Sequence, residues 1–291
     1  MLQGAMLVWF VLTGFSLAFV IWDSITNAVT SWVQRVAWIL VTFYAGPLGA
    51  FFYLMACRRP FPGGHAQFTR ATWKQGLNSE IHCLAGDATG IVFAASIVPV
   101  FHLANGWDAL IEYLAGFVCG LFIFQALMMR GMFGGDYWQA VRKTFFVEAV
   151  SMNFVMAGMI PLMVLLADAW PDSEDRLHPS FWFRMSLATI LGGFLAFPIS
   201  YSLVKTHQKH GCMTLPGADG PAPELGHGSP ENAPSERRVS KGGANIEDEK
   251  KQSHMVMKQL SPIAQSVWIA GSFGFLLLAL FLVNLWVPIS F

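Results

Sequence analysis

Charge is what this sequence has least of. Only 12% of its 291 residues are Asp, Glu, Lys or Arg, against about 25% in an ordinary soluble domain. The formal net charge is zero, and no basic stripe runs along any face, which argues against a nucleic-acid partner. No phosphate-cradling glycine loop, nucleophile elbow or HExxH occurs, so an ATP-driven pump is not supported. Cysteine is also sparse: Cys57, Cys83, Cys119 and Cys212 stand too far apart for a disulfide framework or a zinc knuckle. The first apolar run, AMLVWFVLTGFSLAFVIW, has no positive residue before it and no small-residue cleavage site after it. It is expected to be a retained anchor and not a signal peptide.

What the chain does have is apolar length, with 54% hydrophobic residues and a mean hydropathy of +0.49. A helix needs about 20 mostly apolar residues to cross a bilayer. Seven segments qualify, near 4–22, 33–56, 79–103, 108–130, 144–167, 181–204 and 264–286. Because backbone groups in lipid must be satisfied within the segment, such runs predict helices over a barrel. The expected class is an all-α integral membrane protein with about seven transmembrane helices, a six-helix core plus an appended C-terminal helix. Residues 1–32 form the first helix and its outer loop, 33–213 the core, 214–262 a disordered cytoplasmic linker, and 263–291 the last helix. The linker expectation rests on a stretch rich in Pro, Gly, Ser and mixed charge, which cannot bury enough surface to offset chain entropy. Lys and Arg concentrate in alternate connections, as in Arg58, Arg59, Arg70 and Lys74, then Arg130, Arg142 and Lys143, then Lys205 and Lys209. The positive-inside rule then expects a plasma (inner) membrane protein with its amino terminus cytoplasmic and its carboxyl terminus outside. FGGDYWQAVRKTF reads as an interfacial turn.

The third segment opens on SEIHCLAGDATGIV, residues 79–92, which puts His82, Cys83 and Asp87 within six positions. With Asn78 or Ser79 as a helix cap, His82 and Cys83 fall in the first turn, where the helix dipole favours a thiolate. Asp87 shares the Cys83 face, while Gly86 and Gly90 permit close helix approach. An ionisable group in the membrane is costly and marks a functional candidate, although Asp87 also suits a structural bond between helices. Glu148 is the second such acid, followed at helical spacing by Met152, Met156 and Met159. Thioether and thiolate donors select Cu(I), and methionine equally fills cores. His82, Cys83, Asp87, Glu148, Met152 and Met156 are therefore candidate metal ligands; Asp87 and Glu148 alone suit a proton path. His207, His210, Cys212 and Met213 form a candidate handover site, or else a cationic helix end at an anionic leaflet. Gly46 and Pro47, with Pro99, Pro161 and Pro198, can break or bend helices around a cavity.

Several stretches together resemble the membrane family known as domain of unknown function 4396: VTFYAGPLGAFFY, HCLAGDATG, GLFIFQ, the Glu148, Ser151, Gly158 and Met159 helix, and FWFRMSLATILGGFLAFPISYSLVKTHQKHGCM. In much of that family a second cysteine stands at the position of Asp87, and an acid at that of Ile91. The resemblance implies one constellation of His82, Cys83, Asp87 and Glu148, without an assigned reaction. The combined expectation is a protein that binds, and transports or hands over, a transition metal, with copper favoured as the cofactor. Its partners would be the lipid bilayer and a cytoplasmic metal donor or acceptor protein. The alternatives are a proton-coupled transporter of a small solute and a non-catalytic assembly subunit.

Overall fold

The computed structural model describes residues 2–27, 29–60, 64–212, 214–215 and 260–289, apart from the Asn105 side chain. Met213 and all but the ends of the linker expected over 214–262 lie outside the described residues. Among those described, helices are the only extended secondary structure, with a lone backbone bridge between Thr30 and Thr214. The helices are α1 (Leu2–Thr26), α2 (Trp32–Ala45), α3 (Pro47–Ala56), α4 (His65–Thr69), α5 (Thr72–Ile97), α6 (Asn105–Val118), α7 (Ala126–Met129), α8 (Tyr137–Ala169), α9 (Pro179–Lys205) and α10 (Pro262–Asn284). A wider π-helical stretch, Cys119–Gln125, joins α6 to α7. Six continuous helical stretches are long and apolar enough to cross a membrane. The chain is thus an all-α, multi-pass membrane protein, with α10 as its C-terminal membrane helix.

Local chemistry explains the helix starts. Ser31 accepts a hydrogen bond from Gln34 N–H at 3.3 Å, Asp136 from Gln139 N–H at 3.0 Å, and Ser261 from Ala264 N–H at 3.3 Å. Each satisfies an amide that the helix itself leaves unpaired. Pro179 and Pro262 occupy first-turn positions where no amide is needed. Pro161 and Pro198 sit inside continuous helices, whereas Pro99 falls in the 3-10 turn that ends α5.

Residues 33–56, expected as one crossing, instead form two helices of 14 and 10 residues. At 1.5 Å per residue these measure about 21 Å and about 15 Å, short of the ~30 Å hydrocarbon core. The break is at Gly46, whose φ of +58° suits glycine, followed by Pro47 at the start of α3. α3 folds back on α2. A Cβ on Gly49 would lie 2.7 Å from Thr42 Cα, and the Trp38 and Tyr53 rings meet at 5.5 Å. The two free ends of the hairpin meet at Asn78 of α5, whose side chain accepts from Gln34 of α2 at 3.1 Å and donates to Ala56 O of α3 at 2.8 Å. The end of α1 joins them, since Asp23 accepts from Tyr53 at 2.7 Å and from Arg58 at 3.0 Å. This makes a re-entrant hairpin, whose turn at Gly46 packs against Trp9 and Thr13 of α1 while Phe51, Leu54 and Met55 of α3 stay exposed.

α5 is the central helix, buried along most of its length from Gly76 to Ala95. Small residues set its neighbours close. A Cβ on Gly86 would lie 2.6 Å from Gly120 Cα, and one on Gly90 2.7 Å from Gly116 Cα. α8 meets α9 in the same way, at Gly158 and Gly192. Such backbone approach is the usual currency of helix association in lipid. α1 and α10 flank the bundle, and their Leu7, Phe15, Leu277 and Phe281 point outward.

Gly46→Ala is expected to destabilise the protein by about 1–3 kcal/mol from its left-handed backbone alone. Contact adds to that cost, because the new Cβ would meet Thr13 Oγ1 at 2.6 Å and Trp9 Cζ2 at 2.8 Å. Gly14→Ala, with nothing within 4 Å of the added atom, should leave the melting temperature in detergent unchanged or higher.

Candidate functional site

The expected cap at Asn78 or Ser79 is not where α5 begins. The helix starts at Thr72 with Ala71 as its cap, so His82 and Cys83 lie about three turns inside it. Stabilisation of a thiolate by the helix end, which fades within one turn, does not reach Cys83. What surrounds Cys83 instead is a buried polar cluster. Its Sγ donates to Glu148 Oε2 of α8 at 3.1 Å and accepts from Gln125 Nε2 at 3.2 Å. One turn further along α5, Asp87 faces Glu148.

Gly120 is the reason that the two acids can meet. A Cβ there would collide with Glu148 Oε1 and Asp87 Oδ1, so both carboxyl groups fill the space that a side chain would take. The π-helical stretch carries Gly120 and Gln125 to the same place; π turns insert one residue and re-aim its neighbours. Asp87 and Glu148 are both 0% exposed. Among the described residues, neither oxygen of Asp87 nor Oε1 of Glu148 has a hydrogen-bond donor.

The cluster continues towards the end of the bundle where the hairpin opens. Glu80, one turn before Cys83 and Leu84, accepts a very short hydrogen bond from Ser200 of α9. Lys209, in the loop after α9, folds inward to 5% exposure. Its ammonium donates to Ser200 at 2.8 Å and to Ser151 of α8 at 3.4 Å, and lies 3.9 Å from Glu80 Oε2. Burial lowers the Lys209 pKa, but Cys83, Glu80 and Glu148 more than offset it, leaving the lysine above its ordinary value and charged at neutral pH. Three acids therefore stand near one lysine, and acidic groups outnumber cations in the cluster.

The other sequence candidates are distributed elsewhere. His82 faces α2 and makes a short hydrogen bond to Gln34 Oε1, part of the Asn78 network. Met152 and Met156 are fully buried in the main apolar core, and Met152 Cε packs against Gly116. His207 closes α9 with φ of +59° and is exposed, while His210 is half-buried. Cys212 leaves both histidines and joins Cys57 and His65, with possible ligand atoms within 4.8 Å of one another. That Cys-His-Cys group can hold a metal ion. Sequence reasoning did not place Glu80, Gln125, Lys209, Cys57 or His65 in a site. The one signal in the sequence is the spacing of Glu80 from Asp87, seven residues or two turns, which puts those two acids on one face of a helix.

Residues 72–209, which run from the start of α5 to Lys209, match the family described as Domain of unknown function (DUF4396). Both acids of the central pair, Gly120, Gln125 and the lysine lie inside the matched stretch, whereas the α2–α3 hairpin, Cys57, His65 and Cys212 lie outside it. Comparisons with curated proteins and with solved structures return no match.

Removing the lysine leaves Glu80 buried without its cation. Lys209→Met is expected to cost about 3–5 kcal/mol of stability, and adding Glu80→Gln should recover most of it. Thermal unfolding of the single and double variants in detergent reads both effects.

Proposed function

We propose that the chain is a membrane transport protein whose working element is the Asp87–Glu148 pair, loaded by a cation, and that the cation is a proton coupled to movement of a small solute. The observation that carries this reading is the meeting of the two carboxyl groups across Gly120, without a donor for three of their four oxygens. Two facing carboxylates away from water repel each other strongly. They need a positive partner between them, and Lys209 is already engaged with Glu80, Ser200 and Ser151. A proton fits the space without any change in the surrounding helices. Loading and unloading it would alter the charge at the meeting point of α5, α8 and the π-helical stretch, which is how a buried acid drives helix movement.

An apolar cavity of about 220 Å³ beside this cluster supports a solute path. Leu77, Ile81 and Leu84 of α5, Gly49 and Phe52 of α3, and Phe197 of α9 form much of its wall, with Glu80 as its one acid. Among the described residues neither Glu80 Oε1 nor the hydroxyl of Thr189, which also lines the cavity, has a hydrogen-bond partner, so the two offer a solute fixed polar contacts in a mostly apolar space.

A transition-metal reading is the second one, favoured by Cys83 Sγ beside Glu148. A thiolate with two carboxylates would bind a metal ion. Copper is less suited, because the imidazole of His82 faces Gln34 and the Met152 thioether lies in apolar packing.

The re-entrant hairpin bears on orientation. Its two ends, the basic stretches at Arg58–Lys74, Arg130–Lys143 and Lys205–Lys209, and the end of α1 all fall at one end of the bundle. The positive-inside rule assigns that end to the cytoplasm. With six crossings, the start of α1 and the end of α10 then lie together outside, in place of the amino terminus inside and the carboxyl terminus outside.

In proteoliposomes with an imposed pH gradient and a mixture of small metabolites, mass spectrometry should find at least one solute accumulated only when the gradient is present. Asp87→Asn and Glu148→Gln, folded by size-exclusion profile, should each lower that accumulation at least tenfold. Gradient-dependent accumulation unaffected by either substitution would exclude the pair as the working element. Elemental analysis separates the two readings. A proton site predicts equal metal content in the parent and in Cys83→Ser/Asp87→Asn, and a metal site predicts loss of about one equivalent.

A further inference from the structure

Outside the carboxylate cluster, three separate stretches of chain deliver soft and borderline ligands to one buried point. Cys57 caps the end of α3, His65 opens the short helix α4, and Cys212 lies in the loop that follows α9. Their donor atoms lie within 4.8 Å of one another, and the three residues are between 0% and 3% exposed. A tetrahedral ion with bonds of 2.0–2.3 Å holds its donors roughly 3.5 Å apart, so a small inward movement of side chains closes the set. We propose that Cys57, His65 and Cys212 form a binding site for a thiophilic d10 cation, Zn2+ or Cu+, distinct from the Asp87–Glu148 pair.

The histidine is held in one tautomer by its hydrogen bonds. His65 Nε2 lies 2.7 Å from the carbonyl oxygen of Cys57. A carbonyl only accepts, so Nε2 carries the proton and Nδ1 holds the lone pair. Metal-binding histidines show the same arrangement, with the far N–H fixed by a carbonyl and the near nitrogen on the ion. Nδ1 now accepts from the Thr214 hydroxyl at 2.8 Å, a bond that one side-chain rotation releases. The thiols are in contact with each other, and Cys212 also meets His65. Two thiolates and one imidazole are the donor set that Zn2+ and Cu+ share.

The backbone around Cys212 is held on both sides. A Cβ on Gly211 would collide with the Gln75 side chain and lie 2.7 Å from Gln75 Cα, so glycine lets this loop rest on the first turn of α5. Beyond the cysteine, Leu215 N–H donates to Val29 O at 2.9 Å. A bound ion would tie the end of the hairpin to α4 and to the loop that holds Lys209 three residues earlier, fixing the lysine in the carboxylate cluster.

The test uses the full chain with Cys83→Ser and Cys119→Ser, which leaves Cys57 and Cys212 as its only thiols. Titrated with Co2+ under reducing, oxygen-free conditions, this protein should bind one equivalent with a thiolate-to-cobalt charge-transfer band that Zn2+ bleaches. A parallel titration with Cu+ against a chromogenic chelator decides which ion is held more tightly. Adding Cys57→Ser or Cys212→Ser should weaken binding at least a hundredfold. If those variants do not fold, maleimide labelling of the unaltered chain decides: Zn2+ or Cu+ should protect Cys57 and Cys212 together, as mapped by mass spectrometry. Absence of the charge-transfer band together with no withdrawal of Cu+ from the chelator overturns the proposal. So does labelling of both cysteines at the same rate with and without metal.

Discussion

An excess of acidic groups over cations inside a helix bundle is the constraint around which this molecule is organised. Glu80 and Asp87 of α5 and Glu148 of α8 form one buried cluster, and the Lys209 ammonium pairs with Glu80 alone. Each carboxylate would be stable in water, and each is costly where it stands. The surrounding structure reduces that cost unevenly. Ser200 and Lys209 serve Glu80, and Cys83 serves one oxygen of Glu148. Asp87 receives no donor among the described residues.

The rest of the fold can be read as the means of holding that arrangement. Glycines at 86, 90, 116 and 120 bring α5 and α6 close enough for the acids to reach the space beside Gly120. The π-helical stretch puts Gln125 on the same sulfur that touches Glu148. The re-entrant hairpin closes one side of the cavity, and Asn78 bonds its two ends to α5. The loop after α9 turns inward with Lys209 and is then tied down by Cys212 and by the bridge between Thr30 and Thr214. Support, cavity and charge therefore share the same few helices.

Much of this is legible in the sequence, and the reasons for what is not are physical. Long apolar runs located the crossing helices, and Asp87 and Glu148 stood out because acids are rare in such runs. Residues 33–56 misled because hydropathy measures length and apolarity and is blind to direction: a Gly-Pro pair in mid-run can bend a crossing helix or reverse it. The start of α5 was set too late because Lys74, Gln75 and Asn78 look like a water-facing end, whereas Asn78 is covered by the hairpin. Lys209 was expected at the lipid surface since nothing in a local window says that the chain folds back. Cys57, His65 and Cys212 meet only through tertiary folding, so no spacing rule for metal ligands applies to them.

The central claim is that a proton occupies the Asp87–Glu148 pair, and infrared spectroscopy of the purified protein at neutral pH tests it most directly. The account predicts a protonated-carboxyl C=O band that shifts on transfer to D2O and disappears in both Asp87→Asn and Glu148→Gln, with other acids unchanged. If the parent shows only ionised carboxylate at neutral pH, or if the band survives both substitutions, the proton is not there and the account is contradicted.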